Sequence, residues 1–149
     1  MAQLDIVIPK EQIVILPPGL DKRAAIDRLV DAMAGNPVIT DAEAFRRAVF
    51  EREAVMSTGI GNGVAVPHVR IAEVTVPTLG LAVSAEGVDF QALDNRPAHI
   101  LVLFATPIGS EKPYLAMLAK VMLVLRNRNL YASLLSCHTP EEVHAVLNR

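Results

Sequence analysis

The sequence predicts an α/β fold in which one mixed β-sheet is flanked by helices on both faces. Short β-like runs alternate along the chain with segments of helical periodicity, as in layered α/β domains. The run Ile100–Ala105 is apolar at every position, which is expected of a central strand covered on both sides. Two of the helices also begin with recognisable capping sequences.

The N-terminal part contains two β-like runs and then two helices. The β-like runs are Ile6–Ile8 and Ile13–Leu16, and Pro17-Pro18-Gly19 stops the second. Residues 21–34 have one apolar helical face, and Gly35-Asn36-Pro37 ends that helix. For the next helix, Thr40 and Glu43 have capping-box spacing, and its end is predicted near Arg52–Met56.

The C-terminal part predicts further strands and three helices. The β-like runs are Val64–Val66, Leu79–Ser84 and Ile100–Ala105, and residues 107–113 are predicted to form a loop. An apolar stripe predicts a buried helix face made by Leu115, Leu118, Ala119, Met122 and Leu125. A short helix is predicted over Leu130–Leu135. The last helix begins with Thr139 as its cap, Pro140 in its first turn and Glu142 at capping-box distance.

Length and composition predict one globular domain over residues 1–149, because 52% of the residues are hydrophobic and 20% are charged. The net charge of −2 and the absence of a basic stripe argue against nucleic-acid binding. No signal peptide or apolar run of about 20 residues is present, so we expect a cytoplasmic protein without membrane insertion. The single cysteine excludes an internal disulfide. The spacing of the His and Cys residues predicts neither a metal site nor a cofactor.

The most informative segment is Gly59-Ile-Gly-Asn-Gly-Val-Ala-Val-Pro-His68. It is not a dinucleotide-binding or P-loop motif, because it continues into a β-like run and Pro-His. Its glycines permit positive φ, and successive N–H groups in such turns can bind an anion. Two interpretations stay open on these residues alone: a plain tight turn, or an anion-binding loop beside an accessible imidazole.

Residues before the glycines leave similar alternatives. Arg52, 16 residues before His68, could neutralise a phosphoryl group beside the imidazole, or it could be a solvated arginine at a helix C-terminus. The hydroxyl groups of Ser57 and Thr58 could donate hydrogen bonds to an anion or belong to a turn. Glu53 could orient Arg52 or simply lie on the surface.

Together these residues resemble enzyme IIA of the bacterial phosphoenolpyruvate-dependent sugar phosphotransferase system, in the fructose/mannitol class that includes nitrogen-regulatory IIA proteins. The resemblance is most specific around Pro67-His68 and covers nearly the whole chain. The matching segments are Arg52-Glu53, Ser57–His68, Val88-Asp89-Phe90, Arg96-Pro97, Ala105-Thr106-Pro107, Tyr114–Leu125 and Thr139–Leu147.

The resemblance implies a phosphotransferase component that forms a phosphohistidine. His68 matches the phospho-accepting histidine and Arg52 the arginine beside it. Thr58 and the amides of Gly61, Asn62 and Gly63 are expected to hold the phosphate oxygens. The implied partners are the histidine phosphocarrier protein as donor, and a IIB protein or regulatory target proteins. Apolar side chains at Ile60, Val66 and Leu115 are expected to form a dry rim for docking.

One position departs from the family pattern. Family members commonly carry a second histidine where this chain has Tyr114, and that histidine helps to hold the phosphoryl group. A tyrosine hydroxyl donates a hydrogen bond but supplies no positive charge at neutral pH. The expected loss is one charge-assisted contact, or roughly 1–3 kcal/mol.

Three functions therefore stay open for this sequence. The first is a phosphoryl carrier that relays phosphate from the carrier protein to a IIB acceptor. The second is a nitrogen-class regulator that acts through phosphorylation-dependent binding, which the absence of a fused IIB or membrane domain favours. The third is an unphosphorylated interaction module, suggested by Tyr114.

Overall fold

The computed structural model describes residues 8–109 and 111–148. In this part of the chain one mixed β-sheet lies between two layers of helices, as the sequence predicts. The strands are β1 (Ile13–Ile15), β2 (Gly59–Gly61), β3 (Val64–Ala65), β4 (His68–Arg70), β5 (Thr78–Val88) and β6 (Ala98–Thr106). The helices are α1 (Lys22–Ala34), α2 (Ala42–Val55), α3 (Glu111–Arg126), α4 (Arg128–Leu135) and α5 (Pro140–Leu147).

Strand β6 is the centre of the sheet. It pairs with β5 in antiparallel orientation along one edge. Along its other edge it pairs in parallel with β3 and then with β4, at Val64↔Ile100 and His68↔Phe104. Strand β1 extends the sheet beyond β5, and β2 extends it beyond β3. The predicted central position of Ile100–Ala105 is confirmed.

Alternating side chains of β6 enter two different hydrophobic cores. Ile100, Val102 and Phe104 pack with residues of α3, α4 and α5 on one face. Leu101, Leu103 and Ala105 pack with residues of α1 and α2 on the other. The apolar run therefore reflects burial on both faces of the sheet.

The starts of the helices confirm one capping prediction and correct another. Thr139 caps α5, and its hydroxyl accepts a hydrogen bond from the Glu142 amide at 3.1 Å. The predicted cap of α2 at Thr40 is wrong by one residue, because the Asp41 carboxylate accepts the Ala44 amide at 3.1 Å. The Thr40 amide instead donates to Glu73 O at 2.8 Å, which holds Thr40 outside the helix.

Two further boundaries differ from the predictions, and one predicted run lies mostly outside the described residues. Helix α3 begins at Glu111, inside the predicted 107–113 loop, with Pro113 in its first turn, where a missing N–H is tolerated. Helix α4 begins at Arg128, two residues before the prediction. The predicted run Ile6–Ile8 lies outside the described residues except for Ile8, which is buried.

The buried face of α3 is rotated from the predicted stripe. Its buried side chains are Met117, Val121, Val124 and Leu125. Leu115, which was predicted to be in the core, is 60% exposed. The run is apolar around much of the helix, so its periodicity left the orientation ambiguous.

Among the residues that the structure describes, no helix combines the length and apolar character needed to cross a bilayer.

Candidate functional site

A two-residue break in the sheet places His68. Strand β3 ends at Ala65 and β4 begins at His68, while both pair with the same edge of β6. In the break, the Val66 amide donates to Thr58 O at 3.0 Å, and Pro67 O accepts the Phe104 amide at 3.0 Å. These bonds fix the backbone on both sides of the break, and so they fix the start of β4.

The imidazole of His68 is held in one tautomer by the same break. Its Nδ1 lies 3.2 Å from Val66 O. A carbonyl oxygen can only accept, so Nδ1 carries the proton and Nε2 of the neutral ring keeps its lone pair. The side chain is half-buried. His68 therefore presents a nucleophilic nitrogen on a positioned ring.

The surroundings of His68 keep the ring neutral. Burial lowers the pKa of His68 from its ordinary value, and the positive charges of Arg52 and Arg70 lower it further. The hydrogen bond to Val66 O and the charge of Glu53 act in the opposite direction on this pKa, and the net shift is downward. At neutral pH the imidazole is consequently available as a nucleophile.

Tyr114 of α3 stacks on the imidazole. The two ring centroids are 5.1 Å apart with an interplanar angle of 28°. Phe104 of β6 supports Tyr114 edge-on at 5.5 Å. Burial raises the pKa of the Tyr114 hydroxyl, so it is protonated at neutral pH and contributes no charge.

Two recesses open beside His68, and Arg52 contributes to both. The apolar recess, about 470 Å³, is lined by Arg52, residues 56–60, Val66, His68, Gln91 and Leu93. The basic recess, about 330 Å³, is lined by Ala48, Arg52, His68, Val69, Arg70 and Ile71. Arg52 lies in the last turn of α2, where its Nη1 donates to Met56 O at 2.9 Å. Its remaining N–H groups are available to an anion in either recess.

Glu53 has neither of the roles considered from the sequence. It is 6% exposed, and its carboxylate accepts from Thr58 N at 2.9 Å and from Thr58 Oγ1 at 2.6 Å. Lys22 Nζ lies 2.8 Å from the same carboxylate. Both Thr58 donors are thus engaged inside the protein, and the Ser57 hydroxyl donates to Phe90 O. Glu53 therefore braces the segment that leads into β2.

The glycine hairpin tip, Gly61–Gly63, lies away from His68. Gly63 O accepts the His99 and Ile100 amides, whereas His68 pairs with Phe104, so four to five residues of extended β6, roughly 13–16 Å, separate the two positions. The Asn62 amide donates to the Asp94 carboxylate at 2.9 Å, and Gly63 O accepts the Tyr131 hydroxyl at 3.0 Å. The tip lines two other recesses, neither of which includes His68. The structure therefore does not bring these three residues into the surroundings of the imidazole.

Arg70 belongs to the surroundings of His68 but was missed in the sequence. His68 and Arg70 are two positions apart on β4, so both side chains leave the same face of the strand. Arg70 Nη1 lies 3.1 Å from the Glu111 carboxylate at the start of α3. Alternation of side chains along a strand could have placed Arg70 on the same face as His68. The strand predicted from the sequence ended before Pro67, so this alternation was not considered.

The expected apolar rim is partly present. Ile60 is 44% exposed at the apolar recess, whereas Val66 is buried in its wall, and Leu115 is exposed but is not among the residues that line this recess. Met56 and Leu93, which the sequence did not single out, are 68% and 95% exposed on the same recess.

Among the described residues, no group of three or more His, Cys, Asp or Glu side chains is placed to hold a metal ion.

Two curated proteins illustrate the sequence relationships. A fructose-specific EIIA component of Haloferax volcanii is 31% identical over 147 residues, which cover 99% of this chain and 96% of that protein. A fructose-specific EIIABC component of Bacillus subtilis is 30% identical over 129 residues, covering 87% of this chain. The chain spans only 20% of that longer protein.

Two solved structures share the fold. Nitrogen regulatory protein IIA-Ntr from Neisseria meningitidis has a TM-score of 0.83 and 26% identity, with 95% of this chain and 97% of that chain covered. Mannitol IIA from Escherichia coli, solved in complex with phosphorylated IIB, has a TM-score of 0.78 at 17% identity, with 95% and 97% covered.

A family model matches residues 6–149, and its description is the EIIA 2 component of the phosphoenolpyruvate-dependent sugar phosphotransferase system. The resemblance inferred from the sequence is thereby confirmed: the chain belongs to the type 2 enzyme IIA family of that system.

Proposed function

We propose that this protein carries a phosphoryl group on Nε2 of His68, which it receives from the histidine phosphocarrier protein and passes to a IIB acceptor. The main support is the imidazole itself, because Nδ1 is engaged by Val66 O, which leaves Nε2 as the nucleophile, and the residue lines two recesses. Enzyme IIA domains of this family are phosphotransfer components, and the site has the nucleophile that such transfer needs.

In the transfer step, the Nε2 lone pair of His68 forms a new bond to phosphorus. The phosphorus–nitrogen bond of the donor phosphohistidine breaks, and its electron pair returns to the donor imidazole. The donor ring leaves neutral when its other nitrogen carries a proton. Phosphorylated His68 keeps Nδ1–H on Val66 O, where the carbonyl stabilises the positive ring.

Arg52 is the proposed partner of the phosphoryl oxygens. One of its donors binds Met56 O, and its other donors can bind two oxygens. Tyr114 is proposed to orient the imidazole through the stack and to donate one neutral hydrogen bond. The proposed contributions are positioning and charge stabilisation, which dominate phosphoryl transfer.

A phosphate role for Thr58, Gly61, Asn62 and Gly63 stays a prediction from the sequence. Their observed bonds do not add support, because Asn62 and Thr58 donate to carboxylates within the chain. Such a role would require these bonds to open when phosphate binds.

The test is incubation with phosphoenolpyruvate, enzyme I and the histidine phosphocarrier protein, followed by intact-mass measurement. The wild type should gain one phosphoryl group, His68→Gln should gain none, and Arg52→Gln should gain it at least tenfold more slowly. The ³¹P and ¹⁵N NMR spectra should place the phosphorus on Nε2.

His99 provides a matched control for this experiment. Its Nδ1 also lies near a backbone carbonyl, at 2.9 Å from Ser84 O, but it does not line either recess beside His68. His99→Gln should therefore be phosphorylated like the wild type. An undiminished phosphoryl gain in His68→Gln would place the acceptor elsewhere and refute the proposal.

A regulatory role is the second candidate, and the similarity to nitrogen regulatory protein IIA-Ntr favours it. It uses the same His68 chemistry but ends in phosphorylation-dependent binding to target proteins. Transfer of the phosphoryl group from phosphorylated protein to a purified IIB protein would support the carrier role. Stable phosphohistidine in the presence of IIB would support the regulatory role, and no phosphorylation at all would support an interaction module.

A further inference from the structure

The site is short of positive charge and of free hydrogen-bond donors if only the residues expected from the sequence are counted. Tyr114 is neutral, the Thr58 donors bind Glu53, and the Asn62 amide binds Asp94. Of the residues expected from the sequence, Arg52 alone would then bring a positive charge to a phosphoryl group on His68. One further guanidinium faces the same recess as His68, and it belongs to Arg70.

The strand geometry aims Arg70 and His68 in the same direction. Their positions on β4 differ by two, which separates their Cα atoms by about 6.6 Å on one face of the strand. Val69, between them, is buried on the opposite face. A long arginine side chain readily reaches across such a separation, so Arg70 is within range of a group bound to the imidazole.

Helix α3 contacts this face of β4 at two matched points. Glu111 and Tyr114 are three positions apart, so they are neighbours on one side of the helix. Tyr114 stacks on His68, and Glu111 binds Arg70 with 3.1 Å between Nη1 and Oε1. The partner that restrains Arg70 therefore lies next to the residue that covers His68.

We propose that Arg70 is a second phosphoryl-binding residue of this site, which Glu111 holds until a phosphoryl group reaches His68. This inference rests on the proposed phosphorylation of His68. A phosphoryl group carries more negative charge than a carboxylate and offers three acceptor oxygens, and guanidinium binds it bidentately. The phosphoryl group therefore competes successfully with Glu111.

The exchange of partners is easy because the Arg70–Glu111 pair is exposed. The Glu111 side chain is 61% exposed and that of Arg70 is 35% exposed, and ion pairs at such positions are weak. When Arg70 turns to the phosphoryl group, the Glu111 carboxylate is solvated by water. Arg70 thus supplies the positive charge that Tyr114 lacks.

Phosphoramidate is the probe that tests Arg70 without protein docking. The phosphorus–nitrogen bond of phosphoramidate breaks, ammonia leaves, and the new bond forms to Nε2 of His68. The initial rate of phosphorylation and the half-life of the isolated phosphohistidine are followed by ³¹P NMR. His68→Gln defines the background at other nucleophiles.

The proposal predicts opposite effects for the two partners. Arg70→Gln should slow phosphorylation about tenfold, because a charge-assisted contact is lost. Glu111→Gln should accelerate it about two- to threefold, because the competitor of the phosphoryl group is removed. Arg70→Lys should recover part of the rate, since a point charge remains without the bidentate fork. Arg126→Gln, which removes the same charge at the other end of α3, should behave like the wild type.

The double variant Arg70→Gln/Glu111→Gln decides whether the two effects share one cause. It should match Arg70→Gln alone, because removal of Glu111 helps only when Arg70 is present. A purely structural ion pair would instead make both single variants slower. Equal rates in Arg70→Gln and wild type, or a gain from Glu111→Gln that persists without Arg70, would overturn the proposal.

The same measurements separate this inference from the proposed function. Phosphorylation of His68 by phosphoramidate but not by the carrier protein would refute the proposed carrier role and leave the Arg70 comparison valid. Phosphorylation by the carrier protein with no effect of Arg70→Gln in either reaction would refute only the role of Arg70. If His68 gains no phosphate from either donor, both proposals are overturned.

Discussion

Two segments that are close in sequence, the glycine hairpin tip at Gly61–Gly63 and strand β4, differ in how completely their polar groups are paired. At the tip, the Asn62 amide donates a hydrogen bond to the Asp94 carboxylate, and Gly63 O accepts one from the Tyr131 hydroxyl. On β4, His68 lines two open recesses, and the ion pair that Arg70 makes among the described residues is with the exposed carboxylate of Glu111. A loop whose amide donates to a carboxylate of its own chain is stabilised by that bond, whereas incompletely paired groups beside a recess can receive a ligand.

The largest expected effect comes from a change at the hairpin tip. Gly63 has φ +78°, and a Cβ there would overlap the Tyr131 hydroxyl. Gly63→Ala should therefore lower the free energy of unfolding by about 2–4 kcal/mol, through left-handed strain and a lost hydrogen bond. Urea denaturation measures the loss. The folded fraction should still be phosphorylated at the wild-type rate, because the tip is remote from His68.

Gly19 is the matched control for this change. It has φ +84°, but nothing lies within 4 Å of an added Cβ, so Gly19→Ala should show only the backbone strain of about 1 kcal/mol. If fully folded Gly63→Ala were phosphorylated more slowly than the wild type, the hairpin tip would take part in phosphate binding. The contrast between the tip and strand β4 would then be wrong.

An intermediate effect is expected at Tyr114, on the reactive side of the comparison. Tyr114→His restores a side chain that can become positive beside the phosphoryl group, so phosphorylation of His68 should be about tenfold faster. Tyr114→Phe keeps the stack on His68 and removes only the hydroxyl, which separates orientation from hydrogen bonding. Rates from intact-mass time courses check both variants. No gain in Tyr114→His would mean that the site already has enough positive charge.

The smallest effect is expected from Asp94→Asn. Hydrogen bonds from the amides of Asn62 and Arg96 lower the pKa of the Asp94 carboxyl. A lowered folded-state pKa stabilises the protein above the unfolded value, about pH 4, and this contribution is lost as the pH falls through the folded-state pKa. Asp94→Asn should therefore melt slightly below the wild type at pH 7, and the difference should shrink towards pH 3. Thermal melts followed by circular dichroism at several pH values test this prediction. If the difference in melting temperature between the variant and the wild type did not change with pH, the charge of Asp94 would be excluded as its cause.

The central part of the fold could be predicted because its signal is local. Ile100–Ala105 needs apolar side chains on both faces, and this requirement is visible in the run itself. The capping of α5 was predictable for the same reason, since Thr139 and Glu142 are three residues apart. The cap of α2 was misplaced because Thr40 and Asp41 are both good caps, and only the pairing of Thr40 with Glu73 excludes the first.

The site was predictable in its members but not in their partners. The resemblance indicated His68, Arg52 and Tyr114, and the structure brings these three side chains together. Asp94, whose carboxylate accepts the Asn62 amide, lies 32 residues after Asn62. Lys22, which forms an ion pair with Glu53, lies 31 residues before Glu53. Such pairings depend on tertiary contacts, which no local pattern contains. Strand β4 has only three residues after a proline, too few to show alternation.

The interrupted pairing at Val66-Pro67 has a consequence for any attempt to transplant this chemistry. The carbonyl that accepts the hydrogen bond from the imidazole Nδ1–H lies within the interruption, so the irregular backbone selects which ring nitrogen is left to react. A histidine grafted onto an uninterrupted strand of another scaffold would lack that selection, even with two arginines beside it. The transferable unit is therefore a short defect in a sheet together with the side chain that follows it.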